Sequence, residues 1–270
     1  MSRIIFITGT DTGVGKTVLT TLLLLYLRNS GVKALAMKPF CSGGTEDLEA
    51  FRRIQGDELS SAMLNPIYFP EPLAPLVAAR MRRKSIHLDT VMYSIRMAQN
   101  ECECLLVEGA GGVLVPITEQ LSMADLIAAL KCEVLIVARN ELGTLNHTFL
   151  TLEALGNRGI QLVKVILMEQ SNPDLSSKTN LSIIGKTMKN IRVYSLPHLK
   201  GGKSFCTMQF ARLKKIKKTL AQITRPDNFI SVVRTAAKAA KRKTKKSLTV
   251  SVLVSKTQST VRSNAESELK

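Results

Sequence analysis

The 270 residues contain no tryptophan, and aromatic residues make up only 4% of the chain. A core built from this sequence is therefore aliphatic. Long apolar runs are missing as well. A bilayer-spanning helix needs about twenty such residues, and the longest run here, "VLTTLLLLYL" (Val18–Leu27), is too short. It also follows a glycine-rich segment, where the apolar part of a signal peptide is not expected. No C-x-x-C pair occurs among the five cysteines, Cys41, Cys102, Cys104, Cys132 and Cys206. Their odd number and spacing read as reduced thiols of a cytoplasmic protein. Acidic residues are scarce in one region only. Residues 211–270 carry 16 Lys/Arg against 3 Asp/Glu, a balance of +13, whereas residues 1–210 carry 22 against 18, a balance of +4. The net charge of +17 thus belongs to the tail, and any acidic partner concerns that tail rather than the body.

Short apolar runs alternate with segments of helical spacing. "RIIFITG", "VKALAMK", "ECLLVEG", "CEVLIVAR" and "LVKVILME" read as buried strands. Lys16–Asn29, Leu88–Asn100, Met123–Leu130, Leu145–Asn157, Leu181–Met188 and Phe210–Ile223 read as helices. Continuous apolar strands separated by amphipathic helices indicate an α/β fold, a mostly parallel sheet with helices on both faces in three layers. Ligands of such sheets bind at the carboxyl ends of the strands, where "TGTDTGVGKT", "KPFCSGG" and "VEGAGG" all fall. The alternation weakens from about Arg225. We therefore expect a body spanning residues 1–224 and a basic, flexible extension spanning 225–270.

The first of these segments is a phosphate-binding loop with a displaced glycine. In the pattern G-x-x-x-x-G-K-S/T the first glycine belongs at Thr10, and here it stands at Gly9. Gly13 and Gly15 let backbone N–H groups turn inward, and the loop enters a helix N-terminus that favours anionic oxygens. Lys16 can reach the terminal phosphates, and the Thr17 hydroxyl is placed to coordinate Mg²⁺. Lys38, at the end of the second strand, adds a second ammonium for developing phosphoryl charge. In "TEDLEAF", Asp47 is the expected magnesium carboxylate, although spacing alone does not separate it from Glu46 and Glu49. "LLVEGAGG" carries Glu108 after an apolar strand, as in a Walker B element, and its glycines let the chain pass close to a ligand.

These segments together resemble the dethiobiotin synthetases, a P-loop NTPase-type family. "TGTDTGVGKT", "KPFCSGG", "NPIYFPEPLAP", "VEGAGGVLVP", "ADL", "LGTLNHTFLT" and "LPHL" stand in the family's order from about Ile4 to Leu199. ParA/MinD-type ATPases carry a second loop lysine where this chain has Asp11, which speaks against a partitioning ATPase. The resemblance implies ATP-dependent conversion of 7,8-diaminononanoate (DAPA) and CO₂ to dethiobiotin, ADP and phosphate in biotin synthesis. It implies phosphate binding by Gly13, Val14, Gly15, Lys16, Thr17 and Val18. Lys38 becomes the catalytic lysine alongside Lys16, and Thr17, Asp47 and Glu108 serve Mg²⁺. Gly109, Ala110 and Gly111 adjoin the nucleotide, while Thr12, Ser42, Gly112 and Asn146 attend the organic substrate. It further implies a homodimer whose site lies near the interface. No histidine nucleophile is required, so His87, His147 and His198 take structural or edge roles.

Two departures stand out. The strand that in the family ends in an adenine-recognising asparagine has Met168 at that position, while Pro197, His198 and Leu199 keep the other base-side segment. Use of nucleotides other than ATP is the expected result. The second departure is the tail, whose "KAAKRKTKK" admits nucleic-acid or anionic-surface contact. No aromatic interleaves these charges, which favours a solvated extension. A DNA-associated P-loop ATPase is thus the alternative from another class, and a related amidoligase the nearer one.

Overall fold

The computed structural model describes residues 2–199, 214–225 and 230–231. Apart from Arg225 and Ile230–Ser231, the expected basic extension lies outside the described residues, as does the start of the helix expected from Phe210.

Six parallel strands form the sheet: β1 (Arg3–Gly9), β2 (Ala34–Met37), β5 (Cys104–Gly112), β6 (Glu133–Asn140), β7 (Leu162–Glu169) and β8 (Arg192–Leu196). Their spatial order is β2-β5-β1-β6-β7-β8, and the two-residue β9 (Ile230–Ser231) pairs antiparallel with the start of β7. Successive strand residues point to opposite faces. Ile4–Gly9 and Val134–Ala138 are nevertheless buried without a break, so both faces of the central strands are covered. The helices that cover the sheet are α1 (Lys16–Asn29), α2 (Glu46–Gln55), α3 (Ser61–Leu64), α4 (Pro75–Met81), α5 (Leu88–Asn100), α6 (Met123–Leu130), α7 (Thr144–Gly156), α8 (Ser177–Thr187) and α9 (Lys214–Thr224). None of these is long and apolar enough to cross a membrane.

Several elements differ from the sequence-based expectation: α2, α3 and α4 lie where no helix was expected, α8 begins at Ser177 rather than Leu181, and β8, "KPFCSGG" and β5 differ as well. β8 has only exposed or half-buried residues before Leu196, so its edge position leaves no continuous apolar run to read. "KPFCSGG" is not wholly a loop, because β3 (Phe40–Ser42) pairs in parallel with β4 (Ile67–Phe69) as a separate small sheet. Glu108 stands within β5 rather than at its end. The pairing of β1 with β5 jumps from Ile7–Glu108 to Gly9–Gly112. Four residues of β5 thereby advance against two of β1, a bulge that bends the strand beside the loop.

The outer side of β2 is closed by groups from other segments. Gln55 donates to the Ala36 carbonyl (3.0 Å) and accepts from its N–H (2.7 Å), standing in for a neighbouring strand. Arg28 donates to the Ala34 carbonyl (3.0 Å). Lys38 N–H donates to Leu64 (2.9 Å), and Asn65 Nδ2 donates to the Lys38 carbonyl (2.7 Å). These bonds fix the backbone from which the Lys38 side chain projects.

At the opposite end of the sheet, the fully buried Lys164 of β7 donates to the Ile223 and Arg225 carbonyls at the end of α9. Arg3 donates to the Thr224 carbonyl (2.6 Å) and pairs with Glu133. Cations at a helix C-terminus satisfy carbonyls that lack helical partners and complement the helix dipole.

Candidate active site

The loop Thr10–Gly15 joins β1 to α1 at the carboxyl edge of the sheet. Gly15 holds φ +103°, a left-handed conformation that turns the chain into α1, and a Cβ there would lie 3.2 Å from Met168 Cγ. Lys16 is buried with its ammonium folded back on the carbonyls of Asp11 and Gly111, each at 2.9 Å. The Asp11 carboxylate turns instead to the Thr12 N–H (2.6 Å).

Facing this loop is a three-residue charge cluster. Glu108 is completely buried. Its Oε1 accepts from Thr17 Oγ1 and from Lys38 Nζ, both at 2.9 Å, and its Oε2 accepts from Thr20 Oγ1 at 2.9 Å. Lys38 Nζ also donates to Asp47. Burial by itself lowers the Lys38 pKa, but the Glu108 and Asp47 carboxylates outweigh it and hold the ammonium above the ordinary lysine range. Lys16 goes the other way. Burial is the largest cause, Glu108 partly offsets it, the nearby Lys38 charge adds to it, and the pKa falls to about 8.

The cluster and the loop share one cavity of about 520 Å³. Thr12, Gly13, Gly15, Lys16, Thr17 and Val18 line it from the loop and α1, and Lys38, Ser42, Asp47, Glu108, Ala110 and Gly111 from the facing segments. Among the three carboxylates that spacing left open, Asp47 is the one in the cavity. Glu46 and Glu49 are exposed. Three expected residues support the wall from behind. Val14 is buried in the core, Gly109 packs on Phe6, and Gly112 lies against the Thr10 carbonyl. Met168 packs behind Gly15, and its carbonyl accepts from Gln170 Nε2 (2.7 Å). Pro197, His198 and Leu199 follow β8 on the same edge but outside the cavity lining. Asn146 is exposed in the first turn of α7 and does not line it either.

Sequence reasoning missed the apolar half of the cavity, formed by Phe40, Pro72, Leu73, Ala74, Pro75 and Val115. The proline-rich "PEPLAP" was the available signal. It also missed Thr20, one turn beyond Thr17, and Arg139, whose Nη2 donates to the Gly13 carbonyl at 3.3 Å. Neither belongs to a motif, because each acts by folding back from a neighbouring turn or strand. Among the described residues no group of three or more His, Cys, Asp or Glu is suited to hold a metal. The oxygens of Thr17, Asp47 and Glu108 around one cavity instead fit a hard divalent ion that takes most of its ligands from phosphate and water.

A glycine loop between the first strand and first helix of a parallel sheet, with Lys-Thr opening the helix and an acidic residue on the adjacent strand, defines a P-loop nucleotide-binding protein. Solved structures of like fold include a ParA family ATPase from Chlorobium tepidum, 16% identical with a TM-score of 0.52 over 82% of this chain and 97% of that one. The MinC:MinD cell division protein complex of Aquifex aeolicus gives 13% identity and a TM-score of 0.53 over 81% and 93%. Such identities speak for the fold alone. A family model described as an AAA domain matches residues 3–201. The ATP-dependent dethiobiotin synthetase BioD of Bacillus velezensis is 39% identical over 67% of this chain and 81% of its own. That of Anaeromyxobacter sp. is 43% identical over 64% and 79%, and that of Methanocaldococcus jannaschii 37% over 67% and 92%. The chain belongs to the dethiobiotin synthetase family.

Proposed function

We propose that this protein is an ATP-dependent dethiobiotin synthetase, a ligase of biotin synthesis that closes the ring of DAPA with CO₂. The observation that carries this reading is the convergence of Lys16, Lys38 and Glu108 on one cavity that apolar side chains line as well. The charged end suits a triphosphate and a carbamate. The apolar wall of Phe40, Leu73, Pro75 and Val115 suits an alkyl chain.

In the proposed reaction one amine of DAPA adds to CO₂, loses a proton and becomes a carbamate. A carbamate oxygen then attacks the γ-phosphorus of ATP and ADP leaves. The second amine attacks the carbonyl carbon of the resulting carbamic–phosphoric anhydride, the C–O bond breaks with its electron pair on the departing phosphate, the amine gives up a proton to solvent, and a cyclic urea remains. Two anions have to be held together before the first phosphorus–oxygen bond forms, which is the work of Lys16, Lys38 and the loop N–H groups. Thr17, Asp47 and Glu108 would hold a magnesium ion, which would supply positive charge against the phosphate oxygens during transfer. Ser42 and Thr12, which line the cavity, attend the organic substrate, whereas Gly112 only backs its wall. Asn146, exposed and outside its own cavity, suits contact with a partner subunit's substrate in a homodimer. The reaction belongs in the cytoplasm, and the basic tail takes no part in it.

The test is to incubate the protein with ATP, magnesium, bicarbonate and DAPA and follow dethiobiotin by mass spectrometry. Product that depends on both ATP and DAPA is expected. ATP hydrolysis without dethiobiotin rules the assignment out.

A further inference from the structure

Glu108 has three described donors, and they are not equivalent. Thr17 and Lys38 line the cavity and face any bound phosphate. Thr20 does not line it, is completely buried, and donates to the oxygen that neither of the others reaches, Glu108 Oε2, at 2.9 Å. The Thr20 hydroxyl has one proton and two acceptors at 2.9 Å, Glu108 Oε2 and the Lys16 carbonyl. The carbonyl already serves the helix ladder of α1, and a buried carboxylate is the stronger acceptor.

We infer that Thr20 is a positioning residue dedicated to Glu108, holding Oε2 fixed so that Oε1 stays toward the cavity when Thr17 and Lys38 turn to ligand. This rests on the function proposed above, in which Glu108 serves a magnesium–nucleotide complex. Thr17 cannot replace this anchor, because its hydroxyl is the one needed at the metal. Without Thr20 the carboxylate loses its only described donor behind the cavity wall and can rotate about its last side-chain bond.

The experiment is calorimetric binding of a non-hydrolysable ATP analogue to the full chain, with and without magnesium, for wild type, Thr20→Val and Thr20→Ser. The gain in affinity from magnesium should fall about tenfold in Thr20→Val, the weight of one hydrogen bond to a charged group. Metal-free binding should stay within about twofold. Thr20→Ser, which keeps the hydroxyl, should retain most of the gain. Thr20→Ala removes both hydroxyl and methyl and stands in should the valine variant not fold. An undiminished magnesium gain in Thr20→Val or Thr20→Ala overturns the inference, as does an equal loss in Thr20→Ser. A wild-type protein that gains nothing from magnesium defeats the functional assignment as well, so the two failures are told apart.

Discussion

Lys38 Nζ lies 2.9 Å from Glu108 Oε1 while holding Asp47, so one ammonium serves two carboxylates on the wall of a single cavity. Lys38→Met keeps the length of the side chain and removes its charge. We expect dethiobiotin formation to fall about 10²–10³-fold or more, as when an electrostatic stabiliser is removed. Nucleotide binding measured by calorimetry should change only a few-fold. A kcat within tenfold of wild type contradicts the role given to Lys38.

The depressed Lys16 pKa makes nucleotide binding pH-dependent. Phosphate oxygens bind the ammonium rather than the amine, so binding raises the Lys16 pKa above its free value of about 8. Affinity should be flat below pH 8 and fall toward tenfold per unit above it, until the pKa of the bound state is reached. Titrating ADP between pH 6.5 and 9.5 reads this directly, and Lys16→Met should be weak and flat across the range.

Gly15→Ala combines two penalties. The left-handed φ of +103° costs an L-residue about 1–2 kcal/mol, and the new methyl presses on Met168 at 3.2 Å. The flexible thioether can give way, but the backbone cannot. A modest loss in thermal unfolding temperature is expected together with a large loss of nucleotide binding, because the loop N–H groups turn out of register. Normal binding in this variant contradicts the account of the loop.

How much of this was legible from the sequence depended on how locally each residue acts. The limits of α1, α5 and α6 and the strand "LVKVILME" follow from apolar periodicity alone, since each buries a full face in the core. The P-loop lysine and Lys38 were legible because motif and strand end coincide, and Glu108 from its motif alone, since β5 runs on to Gly112. β8 was not, being short and largely uncovered, and neither was the β3–β4 pair, whose strands are only three residues each. Asp47 could be separated from Glu46 and Glu49 only by seeing which side of α2 meets Lys38. Thr20 was out of reach for the same reason, as its role exists only across the fold, whereas the cavity wall at Pro72–Pro75 left a trace in its prolines alone.

Lys164→Met should destabilise the protein without touching its chemistry. The substitution leaves carbonyls at the end of α9 without their buried donor, at a cost of about 2 kcal/mol or more. A lower denaturation midpoint with unchanged ATP affinity is expected. An unaltered midpoint means that α9 is not held by this contact.

Base selection should be loose. Met168 offers a thioether directed at Gly15 and a carbonyl already engaged by the Gln170 amide, so the residue at that position has no amide of its own. In a competition assay GTP or CTP should support dethiobiotin formation at a measurable fraction of the ATP rate. Strict dependence on ATP contradicts this.

The closure of β2 by Gln55, Arg28, Leu64 and Asn65 bears on how copies of this protein can meet. An uncovered edge strand is a template for edge-to-edge growth and, in crowded solution, for fibre formation. Here every outward backbone group of Ala36 and Lys38 is already spoken for. A second molecule therefore cannot prolong the sheet on that flank without first evicting the segments that hold Lys38 in its working position.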